Sequence, residues 1–318
     1  MNEKCERVRI PVEVQLSLGD YKFRAYLKEI VDRLVEYFET ILNLKGLTKI
    51  TVCNFTNSSK EYGKIIQRSI GKTTAYRRGN NILYTIDIDA DAVRTIYNYY
   101  MNDLSKVTEP IDSECIYEKE LIYHELIHVN DYNHMRGVGI WNGKFKTIYE
   151  NMLFKMWMEY NATRRSSLTG NCEQKNIEAQ VQTIRKLDDD LLSHVKNSGK
   201  NFMRVYEDYS QDMCEKFGYL LGEINRLSEK RARKKMFRTI NKGIKNHYVR
   251  VMLKRADSVL GDLYQQYPKW EVDNLLDHGK VIIEDYINNH LKIMEEKIRN
   301  LNSSSKNRYP KKRLSIFS

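Results

Sequence analysis

The stretch Leu121-Ile122-Tyr123-His124-Glu125-Leu126-Ile127-His128-Val129-Asn130 decides how the rest of this chain is read. Two histidines stand four residues apart, and a glutamate follows the first of them. On a helix, residues four apart lie about 40° from each other and one turn along the axis, so both imidazoles can face one metal ion. The intervening carboxylate is then placed to take a proton from a water at that ion. Leu121, Ile122, Leu126, Ile127 and Val129 flank the motif with aliphatic side chains, as a helix packed behind a metal site requires. The spacing predicts a helix over about 113–134 that carries His124 and His128 as metal ligands and Glu125 as general base.

Upstream, Leu27, Ile30, Val31, Leu34, Val35, Phe38 and Ile41 recur at three- and four-residue steps, which predicts a helix over about 21–44, ended by Gly46. The stretches 49–55 and 80–88 are rich in β-branched and aromatic residues and read as strands of a small sheet. A helix over about 89–104, capped by Asp89 or Asp91, and another around 145–166 complete this half. Beyond about Gly170 the pattern reads only as helices, at roughly 174–197, 200–230, 233–263 and 270–302. The expected fold class is therefore α+β: a domain over 1–168 with a small sheet and the histidine-bearing helix, an all-helical domain over 169–302, and a basic flexible tail over 303–318.

The composition excludes several classes. Of 318 residues, 41% are hydrophobic and only 4 are Pro, which suits a packed, helix-rich chain rather than a disordered one. No run approaches the roughly 18 apolar residues of a membrane helix, and charges occupy the opening MNEKCERVRIPVEV, where a signal peptide would be apolar. A soluble, cytoplasmic protein with no membrane partner is expected. The five cysteines, Cys5, Cys53, Cys115, Cys172 and Cys214, are scattered and form no closely spaced pair, so a cysteine-zinc knuckle is not indicated.

The motif resembles that of the zincin metallopeptidases, over roughly residues 20–168. That resemblance implies a backing helix, a twisted sheet whose edge strand holds extended substrate, and the ligand helix beneath it. It implies Zn2+ as cofactor and a peptide or protein as substrate. Two residues compete as third ligand. His134 completes a pattern similar to that of the metzincins, with Asp131 at the position where those proteins have glycine. An unbroken helix would carry His134 about 15 Å along the axis from His124, so this choice needs the chain to break near residue 131. Glu159 is the alternative, which would make the site gluzincin-like. Phe145, Ile148, Met152, Met156, Glu159 and Thr163 share one helical stripe, so a carboxylate interrupts an apolar face. A buried carboxylate has to be neutralised, paired or bound to metal, and metal is the economical answer, so Glu159 is the expected third ligand; a simpler Lys155–Glu159 surface pair is the alternative. The segment WMEYNATRRS also resembles the second motif of the compact ImmA/IrrE-type proteases, with Ala162 three residues after the glutamate. Thr163 stands where those proteases usually carry an acid.

Other signals are weaker. Gly71-Lys72-Thr73-Thr74 mimics the end of a phosphate-binding loop but lacks its first glycine, since Ile66 holds that position. Any of the 22 Tyr, or an isolated histidine, is a candidate oxyanion donor. Lys230, Arg231, Arg233, Lys234, Lys235, Arg238, Lys242, Lys245, Arg250, Lys254 and Arg255 lie in a stretch with no acid, and their charge equals the chain's net +11. A solvated helical face is the default for this stretch, and docking of an acidic partner or nucleic acid at 230–255 is the alternative. Together these features point to a zinc-dependent metallopeptidase; the competing class is a basic helical regulatory or nucleic-acid- or protein-binding protein whose zinc site is structural or vestigial.

Overall fold

Alternation along Asn81–Asp89 buries Ile82, Tyr84, Ile86 and Ile88 and turns the residues between them outward, as a strand with one covered face requires. In the computed structural model, which describes residues 10–16, 21–54, 71–108, 115–142, 147–167, 174–198, 202–268 and 272–306, this is one of four strands. They are β1 (Val12–Gln15), β2 (Leu47–Cys53), β3 (Gly71–Arg78) and β4 (Asn81–Asp89), in the order β1-β2-β4-β3. β1 runs parallel to β2 and β2 parallel to β4, with Val12 opposite Ile50 and Ile50 opposite Ile86. β3 is the antiparallel edge, with Thr73 opposite Ile86. The connection from β3 to β4 is two residues long, and Gly79 takes a φ of +61° there.

Nine α-helices are described: α1 (Tyr21–Phe38), α2 (Ala90–Tyr100), α3 (Ile116–Gly137), α4 (Ile148–Ser166), α5 (Gln174–Ser198), α6 (Phe202–Asn225), α7 (Lys230–Gly243), α8 (His247–Gln266) and α9 (Val272–Lys306). Asp89 ends β4 and caps α2, accepting from the Asp91 amide at 2.9 Å. Thr147 caps α4 in the same way through the Glu150 amide.

The α+β class stands, with a small mixed sheet and a helical remainder. β1 and β3 are additions to the strands read from sequence, and Phe55 of the expected 49–55 strand lies outside the described residues. The single helix expected over 233–263 is two helices. Gly243 ends α7, and Asn246 starts α8 by accepting from the Tyr248 amide at 3.0 Å. α9 continues to Lys306, past the expected start of the tail at 303, and residues 307–318 lie outside the described residues. Among the described residues, no helix is long and apolar enough to cross a membrane.

The hydrophobic core runs without a break from Ile10 to Met294, across the boundary expected near residue 168. α3 sits at its centre. The Tyr123 ring stacks on Phe38 of α1 at 4.1 Å, while Asn130 and Asn133 bind the backbone of the loop after α1. α4 is buried on several sides, which explains why its apolar residues spread beyond one stripe: Phe154 and Trp157 are as covered as Met152 and Met156.

α4 and α6 cross at very short range because Gly218 and Gly222 have no side chain. A Cβ at residue 218 would meet the Met156 carbonyl oxygen and come within 2.9 Å of Glu159 Cβ; one at residue 222 would lie 2.8 Å from the Tyr160 carbonyl. Backbone atoms cannot yield as flexible side-chain ends can. Gly218→Ala should therefore cost about 1–3 kcal/mol and lower the melting temperature by several degrees. Thermal unfolding followed by circular dichroism checks this, and an unchanged midpoint would show that the two helices are not so closely apposed.

Candidate metal centre

The four-residue spacing on α3 places the His124 and His128 rings 4.7 Å apart and nearly perpendicular. Both side chains are buried, each 6% exposed. From α4, the Glu159 carboxylate reaches into the same space. Its Oε2 lies 3.2 Å from His124 Nε2, and its Oε1 lies 3.6 Å from His128 Nε2. The ligand atoms of the three residues lie within 4.8 Å of one another.

These separations fit a metal ion. Zinc bonds of about 2.0–2.2 Å to nitrogen and oxygen, arranged tetrahedrally, put neighbouring donor atoms about 3.4 Å apart. The observed 3.2 and 3.6 Å bracket that spacing. Burial by itself would raise the pKa of the Glu159 carboxyl. The imidazoles of His128 and His124 outweigh burial, with help from the Lys216 ammonium, and hold it well below the usual carboxylate range. An anion facing two ring nitrogens from a second helix is an arrangement that could hold a metal ion.

Where the chains run separates the two candidates for the third ligand. α3 continues unbroken past residue 131 to Gly137, so His134 never turns back toward His124. Its ring instead meets Tyr267 edge-on at 5.2 Å. The simpler reading of Glu159 as a surface pair with Lys155 also fails, because Lys155 Nζ donates to Gln211 Oε1 at 3.0 Å. Asp131, the residue in the glycine position, is fully buried inside the helix. It accepts from Asn161 Nδ2 at 2.8 and 2.9 Å and from the Tyr267 hydroxyl at 2.8 Å.

Glu125 points from α3 toward the sheet edge. Thr73 Oγ1 on β3 lies 2.7 Å from Glu125 Oε2 and 3.0 Å from the Glu125 carbonyl oxygen, and shares its one proton between them. Gly71 makes room for that carboxylate, since a Cβ there would come within 2.6 Å of Oε1. The Gly71-Lys72-Thr73-Thr74 stretch, dismissed as a phosphate loop, thus begins the strand against which Glu125 packs. Burial pushes the Glu125 carboxyl above its ordinary pKa, and the Glu159 carboxylate adds to the rise, against the opposing pull of His128 and Thr73.

A residue that the sequence left undistinguished completes the cluster. Tyr219 on α6 stacks its ring parallel to His124 at 5.4 Å, and its hydroxyl lies 3.4 Å from His124 Nε2. Burial raises its pKa well above the ordinary phenol value, with the Glu159 and Glu125 carboxylates acting in the same direction, so the hydroxyl keeps its proton. One signal in the sequence pointed here: the flanking Gly218 and Gly222 mark the closest approach of α6 to α4. Lys216 and Glu215, paired at 3.3 Å, lie beside it on α6.

Comparison with family models, with curated proteins and with solved structures finds no match to this chain. The chemistry therefore rests on the cluster's own geometry.

His124→Ala, His128→Ala or Glu159→Ala should each weaken zinc binding by at least about 100-fold, whereas His134→Ala should leave it within a factor of a few. Competition titration against a chromophoric chelator measures this directly. Strong loss in His134→Ala with normal binding in Glu159→Ala would reverse the assignment.

Proposed function

We propose that this chain is a zinc-dependent metallopeptidase that hydrolyses a peptide bond of a peptide or protein substrate. The observation that carries the reading is the pairing of two sites on one helix. His124 and His128 face a carboxylate from α4, and Glu125 between them faces the sheet edge with its pKa raised. His124 Nε2, His128 Nε2 and one Glu159 oxygen are the atoms that would hold the ion. Bound zinc supplies Lewis acidity, lowering the pKa of a water toward neutrality and polarising a carbonyl.

The protein's own groups perform the rest. Glu125 accepts a proton on a carboxylate oxygen and later releases it to the leaving amine; a raised pKa makes it a better acceptor at neutral pH than an ordinary carboxylate. Thr73 Oγ1 fixes the position of Oε2. The Tyr219 hydroxyl, still protonated, is a donor available to charge that develops on a substrate oxygen. β3 is the edge of the sheet, and its outer side suits an extended peptide added as a further strand, with the scissile bond carried toward Glu125.

The competing class, a regulatory protein with a structural zinc, calls for a closed set of four protein ligands. Among the described residues the candidate cluster supplies three from His, Cys, Asp and Glu, which favours a position left for water and substrate.

Glu125→Gln should retain zinc and the folded state while lowering cleavage by at least about a thousandfold, because an amide cannot take up the proton. Tyr219→Phe should also keep zinc and should reduce kcat by about 10- to 1000-fold. Cleavage of a peptide library by zinc-loaded protein, read by mass spectrometry, checks both. Full activity in Glu125→Gln, or no cleavage of any library member by the wild type, would contradict the reading.

A further inference from the structure

α7 has two unlike sides. Met236 and Ile240 are buried, and Gly243 lets the helix close on Val181 of α5. Lys230, Lys234, Arg238, Arg231, Lys242 and Lys235 are exposed and, at 100° per residue, project from an arc of about 140° on the opposite side, spread over about 18 Å of helix. Lys245 extends the row. The turn that carries it is held by Arg250, whose Nη1 donates to the Ile244 and Lys245 carbonyls at 2.8 and 3.0 Å.

None of these seven cations has an ion-pair partner among the described residues. Elsewhere some cations are paired, Arg226 with Glu120 and Glu223, Lys280 with Glu150 and Asp277, and Arg255 with Asp285, while exposed ones without an ion pair among the described residues, such as Arg77, Arg78, Arg204 and Lys292, are scattered over three elements rather than gathered on one helix face. A solvated face needs no such segregation. We propose that the exposed face of α7 and Lys245 docks on the phosphate backbone of double-stranded nucleic acid, without reading its sequence.

The chemistry of the face selects this partner. About 18 Å of duplex axis presents roughly five phosphates on each strand, enough on the two strands to meet the six cations of the α7 arc. Protein interfaces favour aromatic residues, Met and Arg over Lys. Here Lys outnumbers Arg, and no apolar residue interrupts the arc. Single-strand binders stack bases on aromatic rings, and the arc carries none. Membrane-surface helices insert an apolar side, which in α7 is already committed to the core. The inference does not depend on the metal centre.

The test measures binding of the full-length protein to a fluorescent DNA duplex of about 20 base pairs, and to the RNA duplex of the same sequence, between about 50 and 200 mM NaCl. At least one duplex should bind with log K falling linearly against log[NaCl], with a slope of about −4 or steeper. The relative affinities identify which duplex the face prefers. The variant R231Q/K234Q/K235Q/R238Q should flatten the slope by about 3 to 4 and weaken binding at least about 30-fold at the lowest salt, with zinc uptake and melting unchanged. The variant R77Q/R78Q/R204Q/K292Q, which removes the same charge from exposed positions elsewhere, should change the slope by less than about one. Equal losses in both variants would assign the effect to bulk charge and overturn the proposal. It also fails if neither duplex binds the wild type at about 50 mM NaCl, or if polyglutamate or anionic vesicles displace the duplex at equal charge concentration.

Discussion

Glu159 is a carboxylate held among apolar side chains of α4, and such a group is tolerated only where cationic or hydrogen-bonding partners face it. Its partners are two imidazole nitrogens from α3, at 3.2 and 3.6 Å. The electrostatic requirement at this single point ties the two helices together and dictates what the site can bind. Everything around the site serves to keep the three side chains in register. The stacked Phe38 and Tyr123 rings seat α3 against α1, the Asp131–Asn161 hydrogen bonds join α3 to α4 one turn beyond His128, and two glycines bring α6 close enough for Tyr219 to join.

The sheet supplies Ile50, Tyr84 and Ile86 to the core and its edge to the candidate site. Its edge strand β3 supplies Thr73 to the Glu125 carboxylate and, by leaving residue 71 without a side chain, the room that carboxylate occupies. The two carboxylates of the site are tuned in opposite directions, although Glu125 is buried and only 17% of the Glu159 side chain is exposed. At Glu159 the two imidazoles outweigh burial and the carboxylate stays ionised, whereas at Glu125 burial outweighs the opposing pull of His128 and Thr73 and the group holds a proton more readily. One could hold a cation and the other could exchange a proton, the division of labour that the proposed hydrolysis requires.

How much of this was legible in sequence follows from which interactions are local. The α3 helix and its ligand pair are written in a four-residue spacing, and Glu159 showed itself as a charge out of place on an apolar stripe. The choice between Glu159 and His134 was not local, because it depended on whether the chain breaks at residue 131; Asp131 stays helical since Asn161 and Tyr267 satisfy its side chain within the core. β3 escaped notice because Gly71–Arg78 is polar and partly exposed, as edge strands are, and lacks the alternation that announced β4. Tyr219 could not be singled out among so many tyrosines, since its place beside His124, 95 residues away in the chain, comes from the crossing of α6 with α4 at Gly218 and Gly222. The break between α7 and α8 rests on Gly243 and the Asn246 cap, signals that a continuous basic run obscured.

The proposed chemistry requires His124, His128 and Glu159 to act as one metal site. X-ray absorption spectroscopy of the zinc-loaded protein tests this most directly. The predicted spectrum has a first shell of nitrogen and oxygen at about 2.0–2.2 Å, outer-shell scattering from two imidazoles and no sulfur. Replacing Glu159 by Ala should abolish or rearrange that shell. A shell containing sulfur, scattering from more than two imidazoles, or a spectrum unchanged in the Glu159→Ala protein would contradict the account.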